Sequence, residues 1–201
     1  MAVLYPIQAD VEQTYAGWSE ESPPLYRYYL FRAWDVSKPL FAFIGMNPSK
    51  ADEHFDDPTV RRCINFARRE GAGRFIMLNV YGYRSTDASA IRKVADPNGP
   101  ENDYWLRTHV KEADVVVAAW GRNVTDRGGK VLKMIKGLNT VHCLGINADG
   151  SPKHPLYLKA DTALQVLQEK WGTKALQKLT PPRGKEVMSF ISSSEHIKNI
   201  K

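Results

Sequence analysis

Four short apolar runs, Leu40–Met46, Arg74–Tyr81, Asp114–Trp120 and Thr140–Ile146, recur along the chain. Each is rich in Val, Ile and Phe or broken only by small residues, without sustained polar alternation. Strands covered on both faces read this way. Helical patterns lie between them, and the order β-α-β-α-β-α-β predicts a parallel sheet with right-handed crossovers. The expected fold is α/β, a three-layer α/β/α sandwich around a central four-stranded parallel sheet.

The first helix has explicit ends. Asp57 is a capping residue and Pro58 suits the first helical position, where its missing N–H costs nothing. Val60, Ile64 and Ala67 then repeat at helical spacing toward the sheet, Arg61, Arg62, Arg68 and Arg69 line the remaining surface, and Gly71 closes the helix. A second helix is expected from Pro100, carrying Trp105, Leu106 and Val110. A third follows Asp126 with Val131, Leu132 and Ile135, and a fourth runs from about 160 to 171. Tyr26–Trp34 alternates loosely and reads as an added edge strand or hairpin. Pro181-Pro182-Arg183-Gly184 stops any helix, so residues 1–179 read as one domain and 180–201 as a tail, mobile or docking.

Composition narrows the class. With 201 residues, 43% hydrophobic and 25% charged, the chain is an ordinary globular protein. The net charge of +6 is compatible with a polyanionic partner, because Lys and Arg replace the counterions around phosphates. No run approaches the roughly 18 apolar residues that cross a bilayer, and Met1–Pro6 has no basic or apolar leader pattern. A cytoplasmic location without a membrane partner is expected. Cys63 and Cys143 are too few for a disulfide framework, a four-thiolate zinc site or an iron–sulfur cluster, so no cofactor and no metal centre is expected. Nothing in the pattern names a protein partner.

In open parallel sheets, ligands bind beyond the carboxyl ends of the strands. Each apolar run ends there in a tight polar turn: Gly45-Met46-Asn47-Pro48-Ser49, then Asn79-Val80-Tyr81-Gly82-Tyr83-Arg84, then Trp120-Gly121-Arg122-Asn123. The fourth leads through Gly145 to Lys153-His154-Pro155-Leu156-Tyr157. Asn47 before Pro48 is either a turn residue or a functional amide. Asn79 ends an apolar run, so its amide needs partners for donor and acceptor alike, from neighbouring backbone or from a nucleobase edge. His154 is a surface histidine or a catalytic one. Phe55, Tyr81, Tyr83 and Tyr157 either stack on a base or cover the core rim.

Taken together, these segments resemble the uracil-DNA glycosylase superfamily. Gly45-Met46-Asn47-Pro48 resembles its Gly-x-Asn-Pro motif, Leu78-Asn79 the element whose Asn reads the base edge, Val117-Ala118-Ala119-Trp120-Gly121 its third strand, and His154-Pro155-Leu156 its His-Pro-Ser motif. The resemblance spans roughly residues 40 to 158 and implies a uracil-DNA glycosylase-like fold. At closer range, Asn47-Pro48-Ser49-x-Ala51-Asp52, Asp56-Asp57-Pro58-Thr59, Gly99-Pro100-Glu101-Asn102-Asp103 and His154-Pro155-Leu156-Tyr157 resemble a bacterial and phage family, domain of unknown function 1643, which brings no established activity. The Asp-Asp-Pro-Thr and Gly-Pro-Glu-Asn-Asp segments are not glycosylase motifs. Their carboxylates either cap helices or shape a different substrate or metal site.

The glycosylase resemblance implies a hydrolase acting on uracil or a modified base in DNA. Base flipping would bring the nucleotide to Asn47, which positions water, to Asn79, which reads the base edge, and to His154, which stabilises the departing base. It implies a base-binding set of Gly45, Met46, Pro48, Ser49, Phe55, Asn79 and Tyr81. Arg61, Arg62, Arg84, Arg122 and Lys153 are candidate phosphate contacts, against the alternative of a solvated basic surface. The other readings are an enzyme acting on a free or modified nucleotide, and a DNA-binding module that recognises a modified base without cutting it.

Overall fold

The computed structural model of the chain describes residues 3–122 and 124–167. The tail over 180–201, residues 168–171 of the expected fourth helix, and Asn123 lie outside the described residues.

The expected parallel strands are present as β4 (Leu40–Gly45), β6 (Arg74–Asn79), β7 (Val115–Ala118) and β8 (Val141–Cys143). They pair in parallel in the order β6-β4-β7-β8. Antiparallel strands extend this core into a mixed seven-stranded sheet: β2 (Gln13–Trp18) and β3 (Arg27–Ala33) beside β6, and β9 (Gln165–Val166) beside β8. A separate two-residue pair joins β1 (Tyr5–Pro6) to β5 (Phe55–Asp56).

Both sheet faces are covered because successive strand residues point to opposite sides. On one side Phe41, Phe43, Phe75, Met77 and Val117 meet Val60, Cys63, Ile64 and Ala67 of α1 (Pro58–Arg69). On the other, Ala42, Ile44, Ile76, Leu78 and Val116 meet Leu106 and Val110 of α2 (Asn102–Glu112), with Val131 and Ile135 of α3 (Thr125–Ile135). Burying each large aliphatic or aromatic chain contributes about 1.5–3 kcal/mol. These two apolar layers hold the sandwich together. Asp57 caps α1 as expected, accepting from the Val60 N–H at 2.9 Å. Helix α2 starts two residues later than Pro100.

Two expectations need correction. The segment around β3 is one arm of an antiparallel hairpin with β2, which the hairpin alternative expects, and it is not the edge: β3 lies between β2 and β6, and the sheet edge belongs to β2. No helix occupies the described part of 160–171. Gln165 and Val166 instead pair antiparallel with Cys143 and His142. Leu164 and Leu167 pack on opposite faces of the sheet, which serves the strand end and leaves no single helical face.

The winding reverses in the middle of the sheet. From β4 the chain crosses through α1 to β6, whereas from β7 it crosses through α3 to β8 on the opposite side. Adjacent β4 and β7 therefore send their connections apart, and a crevice opens beyond their carboxyl ends.

An ion pair inside the fold ties the entrance of α1 to β3. Arg32, with no exposed side-chain surface, donates to Asp56 at 2.9 Å and to the Asp52 carbonyl at 2.5 Å. Arg32→Ala leaves Asp56 buried without its counter-charge and is expected to cost about 3–5 kcal/mol. Urea unfolding measures this, and a loss below about 1 kcal/mol would show that water replaces the guanidinium.

Candidate functional site

The cleft at the winding reversal encloses roughly 340 Å³, the lower end of the range for small-molecule sites. Its floor comes from strand ends: Gly45 and Met46 after β4, Met77 and Asn79 of β6, and Trp120 after β7. Its rim comes from Asn47 and Ser49, from Asp57 and Thr59 at the start of α1, from the Ser85-Thr86 loop, and from His154, Leu156 and Tyr157.

Asn79 lies at the centre of the site's chemistry. It pairs in register with Gly45 across the parallel ladder and is 1% exposed. Among the described residues neither its Nδ2 nor its Oδ1 has a hydrogen-bond partner. A buried amide left unsatisfied costs about 1–3 kcal/mol per group, so a ligand is the natural source of the missing donor and acceptor. The position depends on glycine opposite: a Cβ at Gly45 would fall 3.0 Å from Asn79 Oδ1 and 2.5 Å from Met77 Cε. Behind the strand end, Asn102, fully buried on α2, donates to the carbonyls of Asn79 (3.1 Å) and Val80 (3.2 Å).

Asn47 has a structural duty as well. Its Nδ2 donates to the Pro48 carbonyl at 2.9 Å and the Ser85 carbonyl at 2.8 Å. Both amide hydrogens are thus committed, and the carbonyl Oδ1 is what the side chain retains for a water or ligand. Pro48 supports the same turn, its carbonyl also accepting from the Ser85 N–H.

His154 caps the short 3₁₀ turn Pro155–Tyr157, with Nδ1 accepting from the Leu156 N–H at 3.3 Å. In the neutral ring this assigns the hydrogen to Nε2, making that nitrogen a donor. Burial lowers the His154 pKa below its usual 6.5, against the opposing field of Asp57. Gly121 makes this approach possible: its φ is +75°, and a Cβ there would come 3.2 Å from the His154 Cβ.

The expected phosphate contacts divide into two groups. Arg61 donates to the Pro6 carbonyl at 2.9 Å over the Tyr5 ring, and Arg84 donates to the Ser49 carbonyl at 2.9 Å over the Trp18 ring. Arg62 donates to the Leu158 carbonyl, and Arg69 to those of Ala160 and Thr162. The α1 arginines therefore fasten neighbouring chain segments, including the one that follows the His154 turn. Arg122 and Lys153 differ, lining a second hollow of roughly 430 Å³ that shares His154 and Tyr157 with the cleft.

Two expected base-binding residues are not brought to the cleft. Phe55 pairs with Pro6 in the small β1-β5 ladder, and half-buried Tyr81 packs on the α2-α3 side of the core. The aromatic groups that do reach the cleft are Trp120 and Tyr157, the latter 84% exposed.

The family-like acidic segments also acquire structural roles. Asp56 pairs with Arg32, Asp57 caps α1, Asp103 pairs with Arg127, and Glu101 accepts from Trp105 Nε1 at 3.0 Å. Among the described residues no three His, Cys, Asp or Glu side chains gather into a metal-binding group. Asp57 does more than cap, since it borders the cleft. Sequence reading missed Arg27, a buried guanidinium on the cleft wall. Its signal was a charge inside the otherwise apolar Tyr26–Phe31 run.

The architecture defines an α/β protein with a polar cleft beyond the carboxyl ends of its parallel strands. The chain belongs to the family described as protein of unknown function (DUF1643), whose model matches residues 27–156, well over half of its length. The matched span begins at Arg27 and ends at Leu156, both of which line the cleft. No curated protein matches the chain, and no solved structure matches it.

The histidine supplies a direct check. In a nuclear magnetic resonance titration His154 is expected to titrate below 6.5, because burial disfavours its charged form. The folded state then binds fewer protons than the unfolded chain as pH falls below 6.5. This histidine's contribution to stability is present above 6.5 and is lost as pH falls through the folded pKa. An apparent pKa above 6.5 would show that the Asp57 field outweighs burial.

Proposed function

We propose that the cleft receives a nucleobase and that the protein is a glycosylase-like hydrolase acting on uracil or a modified base. The observation that carries the reading is the buried Asn79 amide at the cleft floor, whose donor and acceptor both lack partners among the described residues. A base edge with an adjacent acceptor and donor satisfies both atoms at once, as bidentate amide–base pairs do. Trp120 contributes an aromatic wall, and the exposed Tyr157 ring offers a stacking surface at the mouth.

Cleavage of an N-glycosidic bond develops positive charge on the sugar and negative charge on the base. In this reading neutral His154 donates through Nε2 to the departing base, and the Asn47 carbonyl orients a water toward the sugar. An amide is too weak a base to deprotonate that water, so the reaction depends on a good leaving group. A base activated by modification meets this requirement best.

A second reading, an enzyme acting on a free or modified nucleotide, is favoured by one observation: Arg27 places a buried positive charge on the same cleft wall. A base so enclosed also suits a non-catalytic reader, which the same experiment separates.

The test is incubation of the pure protein with single-stranded and duplex oligonucleotides carrying uracil, hydroxymethyluracil or hypoxanthine, with abasic sites scored by alkaline cleavage. Asn47→Ala and His154→Ala are each expected to lower the rate about 10²–10⁴-fold, while Asn79→Asp changes base preference. Binding without cleavage would replace the glycosylase by a reader, and unchanged base preference in Asn79→Asp would remove the base-reading role.

A further inference from the structure

Arg27 is 1% exposed, borders the cleft, and lies at the start of β3. Its guanidinium makes one side-chain hydrogen bond among the described residues, from Nη1 to the Ala51 carbonyl. Its Nε is buried with no partner among the described residues. No carboxylate is within ion-pair distance of it among the described residues. Of the two buried acids of this region, Asp56 is held by Arg32 and Asp57 Oδ1 accepts the helix-capping Val60 N–H, while Asp52 Oδ1 accepts the N–H groups of His54 and Phe55.

Burial pushes the Arg27 pKa down to about 10, with Asp57 opposing that shift and the cations of Arg84 and Arg32 adding to it. The side chain therefore stays charged at neutral pH. A buried charge without a counter-ion is costly, and natural proteins offset that cost with a paired anion. A guanidinium is the group suited to this task, because its planar donors match the oxygens of phosphates and carboxylates.

We propose that Arg27 binds an anionic group carried by the cleft's own ligand, which makes the substrate class a negatively charged, mononucleotide-sized molecule. The inference rests on the nucleobase reading of the cleft but not on glycosidic cleavage. The full burial of Arg27 separates it from the exposed Arg122 and Lys153, which suit a backbone phosphate arriving from outside. An anion that meets Arg27 has to enter the cleft with the ligand. Two sources share this chemistry: the phosphate of a nucleoside monophosphate, and a carboxylate borne on the base itself.

Titration calorimetry of the full chain tests the assignment, using uracil, deoxyuridine, deoxyuridine 5′-monophosphate, the carboxylated pyrimidine orotate, and inorganic phosphate. The charged member of one pair, monophosphate against nucleoside or orotate against uracil, is expected to bind about ten- to a hundredfold tighter. Which pair shows the gap names the source. In Arg27→Gln the gap collapses, and in Arg27→Lys part of it returns. Should Arg27→Gln fail to fold, the wild-type comparison within each pair still decides. Equal affinity within both pairs, with uracil or deoxyuridine binding lost in Asn79→Ala, overturns the Arg27 assignment and leaves the base reading standing. Inorganic phosphate binding that requires Arg27, without any nucleoside binding, upholds the assignment and sinks the base reading. Phosphate or monophosphate affinity unchanged in Arg27→Gln overturns the assignment, and no binding by any probe overturns both.

Discussion

Two hydrogen bonds from one side chain set the geometry on which the site depends. Asn102 donates to the carbonyls of Asn79 and Val80, the first groups released from the ladder where β6 ends. Without those donors, the Asn79 carbonyl would lose its side-chain partner and the Val80 carbonyl would keep only Arg127 Nε, and the strand end would be freer to turn. With them, the backbone of Asn79 is fixed from the α2 side of the sheet, and its amide opens on the α1 side. Gly45 supplies the space opposite. Asn102 does not line the cleft itself, and its two hydrogen bonds give Gly99-Pro100-Glu101-Asn102-Asp103 a physical purpose without placing it in the pocket.

A second consequence concerns charge in the interior. The region between β3 and the start of α1 holds Arg27, Arg32, Asp56 and Asp57, all nine-tenths buried or more. Apolar residues of similar volume would give equal or greater stability at lower desolvation cost. The Arg32–Asp56 pair is internally matched and fastens β5 and the cap of α1 to the sheet. Arg27 is not matched. The two arginines lie five residues apart on one strand, yet one completes the fold and the other leaves donors unused. Among the described residues that bury an unpartnered polar atom, Asn79 and Arg27 share the walls of one cleft, where a ligand can supply the missing partners.

Much of the fold was legible because its signals are local. The four parallel strands are continuous apolar runs, and α1 carries its cap, its proline and its apolar stripe within twelve residues. The misread elements depend on partners distant in the chain. Leu164 to Leu167 is compatible with a helix or a strand until the exposed edge of β8 is known. Tyr26–Trp34 reads as an edge because nothing local in it records that β2 pairs on its far side. At the site, the strand-end positions Gly45, Asn47, Asn79 and His154 were legible from the rule that ligands gather beyond parallel strands. Phe55 and Tyr81 were not, since an aromatic beside a motif carries no record of which face it covers. The carbonyls of Leu158, Ala160 and Thr162 that accept from Arg62 and Arg69 were not legible either, because backbone acceptors leave no trace in composition.

The cleft's resources are unequal to a demanding hydrolysis, and that inequality bears on the ligand. Asn47 has spent its donors on the turn, and His154, kept neutral by burial, offers a hydrogen bond rather than a full positive charge to a leaving group. Neither group can generate a strong nucleophile. What the site has in quantity is recognition: an unpartnered amide, an unpaired guanidinium and a donor imidazole on the walls of roughly 340 Å³. Binding energy of this kind accelerates a reaction only where it is larger in the transition state than in the ground state. On the proposed reading that condition is met when negative charge develops on the group facing His154 and Asn79. On that reading a ligand whose leaving base is already stabilised as an anion lets recognition do most of the work, and the proposal therefore favours an activated, charged nucleotide over an unmodified base in duplex DNA.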